Sequence, residues 1–533
     1  MMHAQLISAN SSPDLLRQQQ LVNTLCAPGY FPHKPKTEET HISWVLLTGQ
    51  DAYKIKKSVN LGFLDFSTLE SRRHYCYEEL RLNRRLAPDL YLDVIAIGGK
   101  PEEPVLGKEP AIEYAVYMRR FSQSSLMDRM LARGRVTAGH IDKLAIVVAG
   151  FHSSLMPAAA DTPYCAVTEI KKEALDNFSQ LPQLLSEPDD LAMLETVRKA
   201  SMLAYFACEP LFRQRAAAGF VRECHGDLHL GNIVVLDDTP TPFDCIEFSP
   251  ALRWIDVISE ISFTVMDLLR RGHPHFAWRL LNKYLEITGD FSGVGVLRFY
   301  LAYRAMVRAK IAAIRASQRD ARIKMELKSC RSYLRLAHSC LTRRRPAVII
   351  THGLPGCGKS TFAQIALEKL GAIRIRSDVE RKRLFGLTAL ADSKAVLDAD
   401  IYSEEATRRT YACLQQLARG IITEGFPVIV DAAFVLHTER DIFRALAHEL
   451  GVPFLIASLQ TDAALLTKRL ALRSSQGNDA SEADVAVLNK LQVVQEPLQE
   501  EELSAAVTFI NNDDIEALRS TDTAWKTLEE RLV

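Results

Sequence analysis

The sequence has no C-x-x-C pair, no H-E-x-x-H and no other paired Cys/His spacing, which argues against a zinc site. Its ten cysteines (Cys26, Cys76, Cys165, Cys208, Cys224, Cys245, Cys330, Cys340, Cys357 and Cys413) are scattered, as reduced thiols in a cytosol would be, and do not suggest a disulfide framework. No apolar run approaches the roughly 20 residues that a membrane-spanning helix needs. The opening MMHAQLISANSSPDLLRQQQ also lacks the basic stretch and apolar core of an export signal. A cytoplasmic chain with no membrane partner is therefore expected. Net charge is zero, with 65 basic and 65 acidic residues, so nothing global points to nucleic acid. No repeat at solenoid spacing is present.

What is present is an ordinary globular mixture, 47% hydrophobic and 24% charged. At roughly 100–200 residues per domain, 533 residues imply two to four domains. Charge is uneven: residues 346–533 hold 20 Lys and Arg against 27 Asp and Glu, leaving 45 against 38 in the first 345. The clearest boundary is Thr342-Arg343-Arg344-Arg345-Pro346, which follows a polar helix-like stretch from about Leu297 to Leu341 and precedes the apolar Ala347-Val348-Ile349-Ile350. The expected domains are 1–340, with a small lobe to about 118 and a helical lobe over 119–340, then a linker 341–346, then 347–533.

Beyond that linker, short apolar strands at 347–351, 372–376, 427–431, 453–459 and 506–510 alternate with helical stretches at 360–370 and around 395–420, 437–450, 461–473 and 481–500. Such alternation predicts an α/β domain with a parallel sheet covered on both faces. The first part reads as α+β. Strands are expected at 41–47, 52–57, 91–97 and 111–118, with a helix at about 68–86. A mainly helical region then runs from about 125 to 201, and strands return at 233–236 and 241–248.

Gly353-Leu354-Pro355-Gly356-Cys357-Gly358-Lys359-Ser360, followed by Thr361, fits G-x-x-x-x-G-K-[ST] between a strand and a helix. Glycines there let backbone N–H groups curl around a phosphate, and the next helix directs its positive end to the same point. Lys359 can reach the β- and γ-phosphates and the Ser360 hydroxyl can hold Mg²⁺. Asp431 closes the strand Val428-Ile429-Val430, where a Mg²⁺-orienting carboxylate is expected. Asp378 could accept a substrate hydroxyl proton or simply cap a helix. Arg469 and Arg473, four apart, share a helix face and could close over a transferring phosphate or lie in solvent. Arg376, Arg381 and Arg383 are weaker candidates for an anionic substrate.

A second constellation lies at 225–247. His225-Gly226-Asp227-Leu228-His229-Leu230-Gly231-Asn232 has H-x-D-x-x-x-x-N spacing, in which the Asp accepts the attacking hydroxyl's proton and the Asn ligands Mg²⁺. Two strands about a turn fold Asp244 back beside Asn232 as a second metal ligand. Phosphate charge also needs a lysine fixed by a glutamate. In the strand 52–57, Lys54 and Lys56 share a face, with Lys54 matching A-x-K and Lys56 the alternative. On the following helix Glu79 flanks the apolar stripe of Leu69, Cys76, Leu80 and Asn83, whereas Glu78 points away. Glu247 and His229 lie close in sequence and could touch metal or substrate, although a hydrogen-bonded structural role is the preferred reading of His229, and Asp256 is expected to anchor the loop.

The segment HGDLHLGN with the later FDCIEF resembles the aminoglycoside phosphotransferase and choline-kinase-like branch of the protein-kinase fold, over about 40–340. The segments GLPGCGKS, Ser377-Asp378-x-x-Arg381-Lys382 and VIVDAAF resemble the P-loop kinases of small metabolites, the zeta-toxin-like and gluconate-kinase-like branches, over about 345–533. The whole chain is similar to bacterial bifunctional proteins that join a phosphotransferase-like domain to an ATP-binding domain. The first half departs from the pattern in having no G-x-G-x-x-G cover and in carrying Cys245-Ile246 after the metal Asp. The resemblance implies ATP and Mg²⁺ as cofactors and a small hydroxylated acceptor, with no nucleic-acid partner. Other possibilities are a nucleotide-gated regulatory ATPase without an acceptor, or a chain with one active and one degenerate half.

Overall fold

In β2 (Ser43–Thr48), Trp44 and Leu46 alternate with Val45 and Leu47, so the strand is apolar on both faces and calls for cover on both. The computed structural model describes residues 12–62, 64–318, 323–342, 345–389, 391, 401, 403–476, 485–513, 515–520 and 522–532. Two units emerge: Met1–Lys172 with Phe212–Thr264, and Glu173–Leu211 with Val265–Val533. The second unit thus takes in part of the helical lobe, Glu173–Leu211 and the helices from Val265 onward, together with the segment beyond 346.

In the first unit, helix α1 (Pro13–Leu25) packs Leu21, Val22 and Leu25 on Trp44, Leu46 and Ile55. Six antiparallel strands form the order β1-β2-β3-β6-β4-β5. Besides β2 these are β1 (Lys36–Glu39), β3 (Asp51–Lys56), β4 (Tyr91–Lys100), β5 (Glu103–Leu106) and β6 (Ala111–Arg119). The opposite face is covered by α2 (Leu69–Asn83), whose Cys76 and Leu80 join Leu47, Ala52 and Val116. Thr68 caps α2, its Oγ1 accepting from Ser71 N at 3.1 Å. Lys54 and Lys56 follow Ala52 at the strand period and so face α2.

Helix α3 (Ala138–Ser154) and α4 (Pro188–Ala217) lead to β7 (Val221–Glu223). The strands β8 (Ile233–Leu236) and β9 (Thr239–Pro242) pair about Asp237 and Asp238, which both take the left-handed conformation a two-residue hairpin turn requires (φ 45° and 60°). The second strand is shorter than the sequence suggests, because Phe243 onward leaves the ladder. β10 (Trp254–Asp256) pairs with β7, and α5 (Val257–Arg270) follows.

In the second unit α6 (Pro274–Thr288), α7 (Val294–Gln318) and α8 (Ile323–Thr342) precede a five-stranded sheet. Its strands β11 (Ala347–His352), β12 (Ile373–Arg376), β13 (Pro427–Asp431), β14 (Phe454–Gln460) and β15 (Ala506–Ile510) are all parallel, in the order β12-β13-β11-β14-β15. Helices α9 (Lys359–Leu370), α10 (Ser377–Leu384), α11 (Glu404–Thr423), α12 (His437–Leu450) and α13 (Ala463–Gln476) alternate with them. Every residue of β11 and β13 is buried, as expected for central parallel strands. Phe362 of α9 packs on Phe509 and Trp525, with ring centroids 4.7 and 5.1 Å apart. Helix α6 lies on the edge strand: Asn282 donates to Ala372 O (2.9 Å) and accepts from Arg374 N (2.7 Å). Of the expected helices, residues 395–400, 402 and 481–484 lie outside the described residues, as do Arg343 and Arg344 of the linker. No helix among the described residues is long and apolar enough to cross a membrane.

Candidate active sites

The first site is built where β3, α2 and the segment after β9 meet. Lys54 Nζ donates to Glu79 Oε1 at 2.7 Å and to Asp244 Oδ1 at 2.6 Å. Lys56 Nζ donates to the other Glu79 oxygen at 2.6 Å and also to Glu247. The two candidate lysines are therefore both used, and Glu79 is shared between them. Burial opposes ionisation of Glu79, but Lys54 and Lys56 outweigh it and hold the carboxyl at about 2. Burial likewise disfavours charge on Lys54, yet Asp244 and Glu79 keep its ammonium well above the usual lysine range. Burial raises Glu247 even though Lys56 pulls it down. Two lysines face three carboxylates, so the cluster keeps a net negative charge before Asp227 is counted.

Asp227 and Asn232 lie side by side, Asn232 Nδ2 donating to Asp227 Oδ2 at 2.9 Å. The loop carrying them is fixed by Glu260 of α5, which accepts from the N–H groups of His225 (2.7 Å) and Gly226 (3.1 Å). Gly226 needs to be glycine: its φ is 88°, and a Cβ would meet Leu252 O at 2.8 Å. His225 Nε2 lies 2.8 Å from Phe243 O and Nδ1 3.3 Å from Asp227 N, so both ring nitrogens are engaged in holding the loop. Asp244 has φ 64°, and its N–H donates to the Tyr91 hydroxyl at 3.2 Å. Asn83 holds both neighbours, accepting from Cys245 N (2.9 Å) and donating to Glu79 O (2.8 Å). His229 Nδ1 accepts from Gly231 N at 3.0 Å. Asp256 grips Arg215 at 2.7 and 2.9 Å, so the loop's carboxylate anchor is Glu260, one helical turn on.

Because Glu79 is held below its unfolded value of about 4.3, the stability it contributes is complete above that pH. It is lost as pH falls toward about 2. Acid titration by circular dichroism should therefore show the advantage of the wild type over Glu79→Gln shrinking below about pH 4.3 and steady above it. An unchanged gap down to about pH 2 would contradict the pairing.

The second site sits at the carboxyl end of β11, between β13 and β14, the switch point of a doubly wound sheet. Gly353, Leu354, Pro355, Gly356, Cys357 and Gly358 form the turn before α9, whose first residues are Lys359, Ser360 and Thr361. Lys359 Nζ donates to Gly353 O and Leu354 O at 2.8 and 2.9 Å. Gly358 has φ 96°, and a Cβ there would fall 2.1 Å from Asn511 Nδ2. Asn511, just beyond β15, donates to Cys357 O (2.8 Å), which also accepts from Thr461 Oγ1 (3.2 Å). Arg469 donates to Asn511 O and Asp513 O, both at 3.0 Å, and so braces that loop. Arg473 lies on α13, with its side chain outside the described residues.

Ser360 Oγ lies 3.3 Å from Asp431 Oδ1. The other oxygen, Asp431 Oδ2, is buried and makes no hydrogen bond among the described residues, with Arg376 Nε at 3.6 Å. An orphaned buried carboxylate oxygen beside a hydroxyl suits a hard cation. Asp378 is the second residue of α10, and Arg376 precedes the helix as its cap residue. Arg381 is buried and bonds Ile401 O (2.9 Å) and Thr407 Oγ1 (3.1 Å), and Arg383 is tied to Glu380 and Glu286 O. Among the described residues, no three His, Cys, Asp or Glu side chains gather as a metal cage.

Sequence reasoning missed Glu260, Tyr91, Asn511 and Thr461. Of these only Asn511 and Thr461 carried a signal, since both directly follow strands of the parallel sheet, where ligands bind.

Residues 348–498 match a protein-family model described as an AAA domain, so the second unit contains a P-loop nucleotide-binding domain. Over 458 residues the chain is 30% identical to an uncharacterized protein of Mycobacterium tuberculosis (strain ATCC 25618 / H37Rv), a match covering 84% of this chain and 88% of that protein. An uncharacterized protein of Mycobacterium bovis (strain ATCC BAA-935 / AF2122/97) matches with the same identity and coverage. The chain belongs to the family of these mycobacterial proteins. Among solved structures, the GDP complex of aminoglycoside 2'-phosphotransferase-IIIa is 14% identical, covering 62% of this chain and 99% of that one, at a TM-score of 0.38. A gluconokinase from Sinorhizobium meliloti 1021 is 19% identical, covering 36% of this chain and 97% of that one, at a TM-score of 0.26.

Proposed function

We propose that the chain is an ATP- and Mg²⁺-dependent phosphotransferase acting on a hydroxyl of a small metabolite. Its two nucleotide sites would lie in a kinase-like domain over 1–340 and a P-loop domain over 347–533, joined by 341–346. The observation that carries this reading is the lysine bridge. Lys54 touches both Glu79 and Asp244, at 2.7 and 2.6 Å, the arrangement that fixes a phosphate-binding lysine in kinases. In the first site Asn232 and Asp244 would hold Mg²⁺, and in the second Ser360 and Asp431 would do so. The bound ion would neutralise charge on the phosphate oxygens. Asp227, oriented by Asn232 and by the loop that Glu260 anchors, would take the proton of the acceptor hydroxyl. Lys359 and the N–H groups at the start of α9 would bind the phosphates of the second nucleotide, with Thr361 among them and Asn511 and Arg469 holding the loop in shape. Asp378 is the proposed proton acceptor there, and Arg473 would face the transferring group with Arg469. Positioning and charge neutralisation would supply most of the rate.

The test is transfer from γ-labelled ATP into a metabolite extract by the wild type, Asp227→Ala and Lys359→Ala. Two labelled products are expected, each lost in one variant by at least about 10²-fold. Products unchanged in both variants would refute the site assignments. ADP release with no labelled acceptor would favour a nucleotide-gated protein instead.

A further inference from the structure

Four charged groups of the second unit form a line from helix α6 to the P-loop. Glu286 Oε2 accepts from Arg374 at 2.9 Å and lies 3.6 Å from Arg376 Nη1. Arg376 Nε in turn lies 3.6 Å from Asp431 Oδ2, and Asp431 Oδ1 faces Ser360. Arg376 thus stands equally far from two carboxylates and beyond hydrogen-bond reach of either. We propose that Glu286 is a positioning residue of the P-loop site, holding Arg376 back from Asp431 and so setting how readily a divalent cation binds with the nucleotide. This rests on the reading of Ser360 and Asp431 as the metal-binding pair.

The geometry makes the effect specific. A guanidinium and a divalent cation compete for one carboxylate, because each neutralises the same charge. The negative charge on Glu286 draws Arg376 the other way. Burial works against that charge, but Arg374, Arg376 and Lys283 hold the carboxyl at about 2, so it is ionised throughout the physiological range. The helix that carries it cannot drift. Asn282 pairs with the β12 backbone on both its donor and acceptor sides, and Arg279 reaches Glu368 at 2.9 Å. Arg383 donates to the Glu286 carbonyl at 2.6 Å. Trp278 lies so close that a Cβ at Gly371 would be 2.8 Å from its Nε1. Helix α6 precedes the linker at 341–346, so a residue of the proposed kinase-like domain reaches the P-loop site.

The experiment uses the full chain carrying Asp244→Asn, which weakens metal binding at the first site, at metal concentrations too low to fill that weakened site. It measures binding of a fluorescent ATP analogue with and without Mg²⁺, and of Mn²⁺ by electron paramagnetic resonance. Adding Glu286→Gln should weaken the metal-dependent step about tenfold while leaving metal-free nucleotide binding within about twofold. Arg376→Met, which removes the competing cation, should tighten the metal step on its own and restore it in the double variant. The inference is overturned if Glu286→Gln leaves metal affinity unchanged. It is also overturned if metal-free and metal-dependent binding weaken together, as a merely structural role requires, or if Arg376→Met fails to restore the metal step. Absence of any Mg²⁺-dependent nucleotide binding in the Asp244→Asn parent would overturn the P-loop reading itself, and this inference with it.

Discussion

Lys56→Met is expected to destabilise the first unit by about 3–5 kcal/mol, the cost of leaving a buried charge without its partner. Lys56 is 1% exposed and is the ammonium that Glu79 and Glu247 share. Without it Glu79 keeps Lys54, whereas Glu247, itself 4% exposed, loses the lysine that offsets its burial. The cation also sits 5.0 Å from the centre of the Phe66 ring, a contact methionine replaces only in part. Urea denaturation followed by circular dichroism reads the loss directly. The double variant Lys56→Met, Glu247→Gln should recover most of it, because removing both members of a buried pair is close to neutral. A single variant within about 1 kcal/mol of wild type would show that the doubled lysine pair carries no structural load.

How much of this arrangement the sequence reveals depends on which physical signal each part leaves. The strand period places Lys54 and Lys56 on one face, and the helix period turns Glu79 toward the same side, so the ion pair is legible from local geometry. The spacing from Asp227 to Asn232 and the Asp237-Asp238 turn likewise bring Asp244 back to the site. The bond from Lys56 to Glu247 spans 191 residues, and no local periodicity encodes it. Glu260 is hidden for another reason: on α5 it is one more acidic residue until the loop's N–H groups are seen pointing at it. The strands that go unread are short or peripheral. β1, Lys36-Thr37-Glu38-Glu39, is an edge strand with charged side chains outward, and β7 and β10 have three residues each, too few to display alternation. The parallel sheet is legible because its strands are buried on both faces and read as apolar runs. Within it the alternating Ile373-Arg374-Ile375-Arg376 carries a clue whose meaning comes only with the fold. Those arginines answer Glu286 on α6, and a boundary drawn at 341–346 separates them from it in the sequence.

Asp244→Asn is the other substitution with a large expected effect, and it bears on chemistry with little cost in stability. Asp244 occupies the left-handed region at φ 64°, a conformation that Asn tolerates about as well as Asp but Ala does not. The side chain is 44% exposed, so removing its charge leaves no buried group uncompensated, and Lys54 keeps Glu79 at 2.7 Å. The backbone bonds of the segment, Asp244 N to Tyr91 and Cys245 N to Asn83, do not involve the substituted atoms. The thermal midpoint should therefore stay within a few degrees of wild type. The phosphotransfer that depends on Asp227 should fall about 10²–10³-fold, the usual cost of deleting one preorganised electrostatic group at the reacting phosphate. The loss should appear in kcat, and raising Mg²⁺ should recover part of it, because an amide oxygen still offers the ion a weaker ligand. The product that depends on Lys359 should be untouched. Asp244→Ala would lose the same activity together with stability, so the contrast between the two substitutions separates the charge from the backbone conformation. Full activity in Asp244→Asn would mean that the carboxylate meeting Lys54 serves the fold alone, and the first site would lose its claim to a metal.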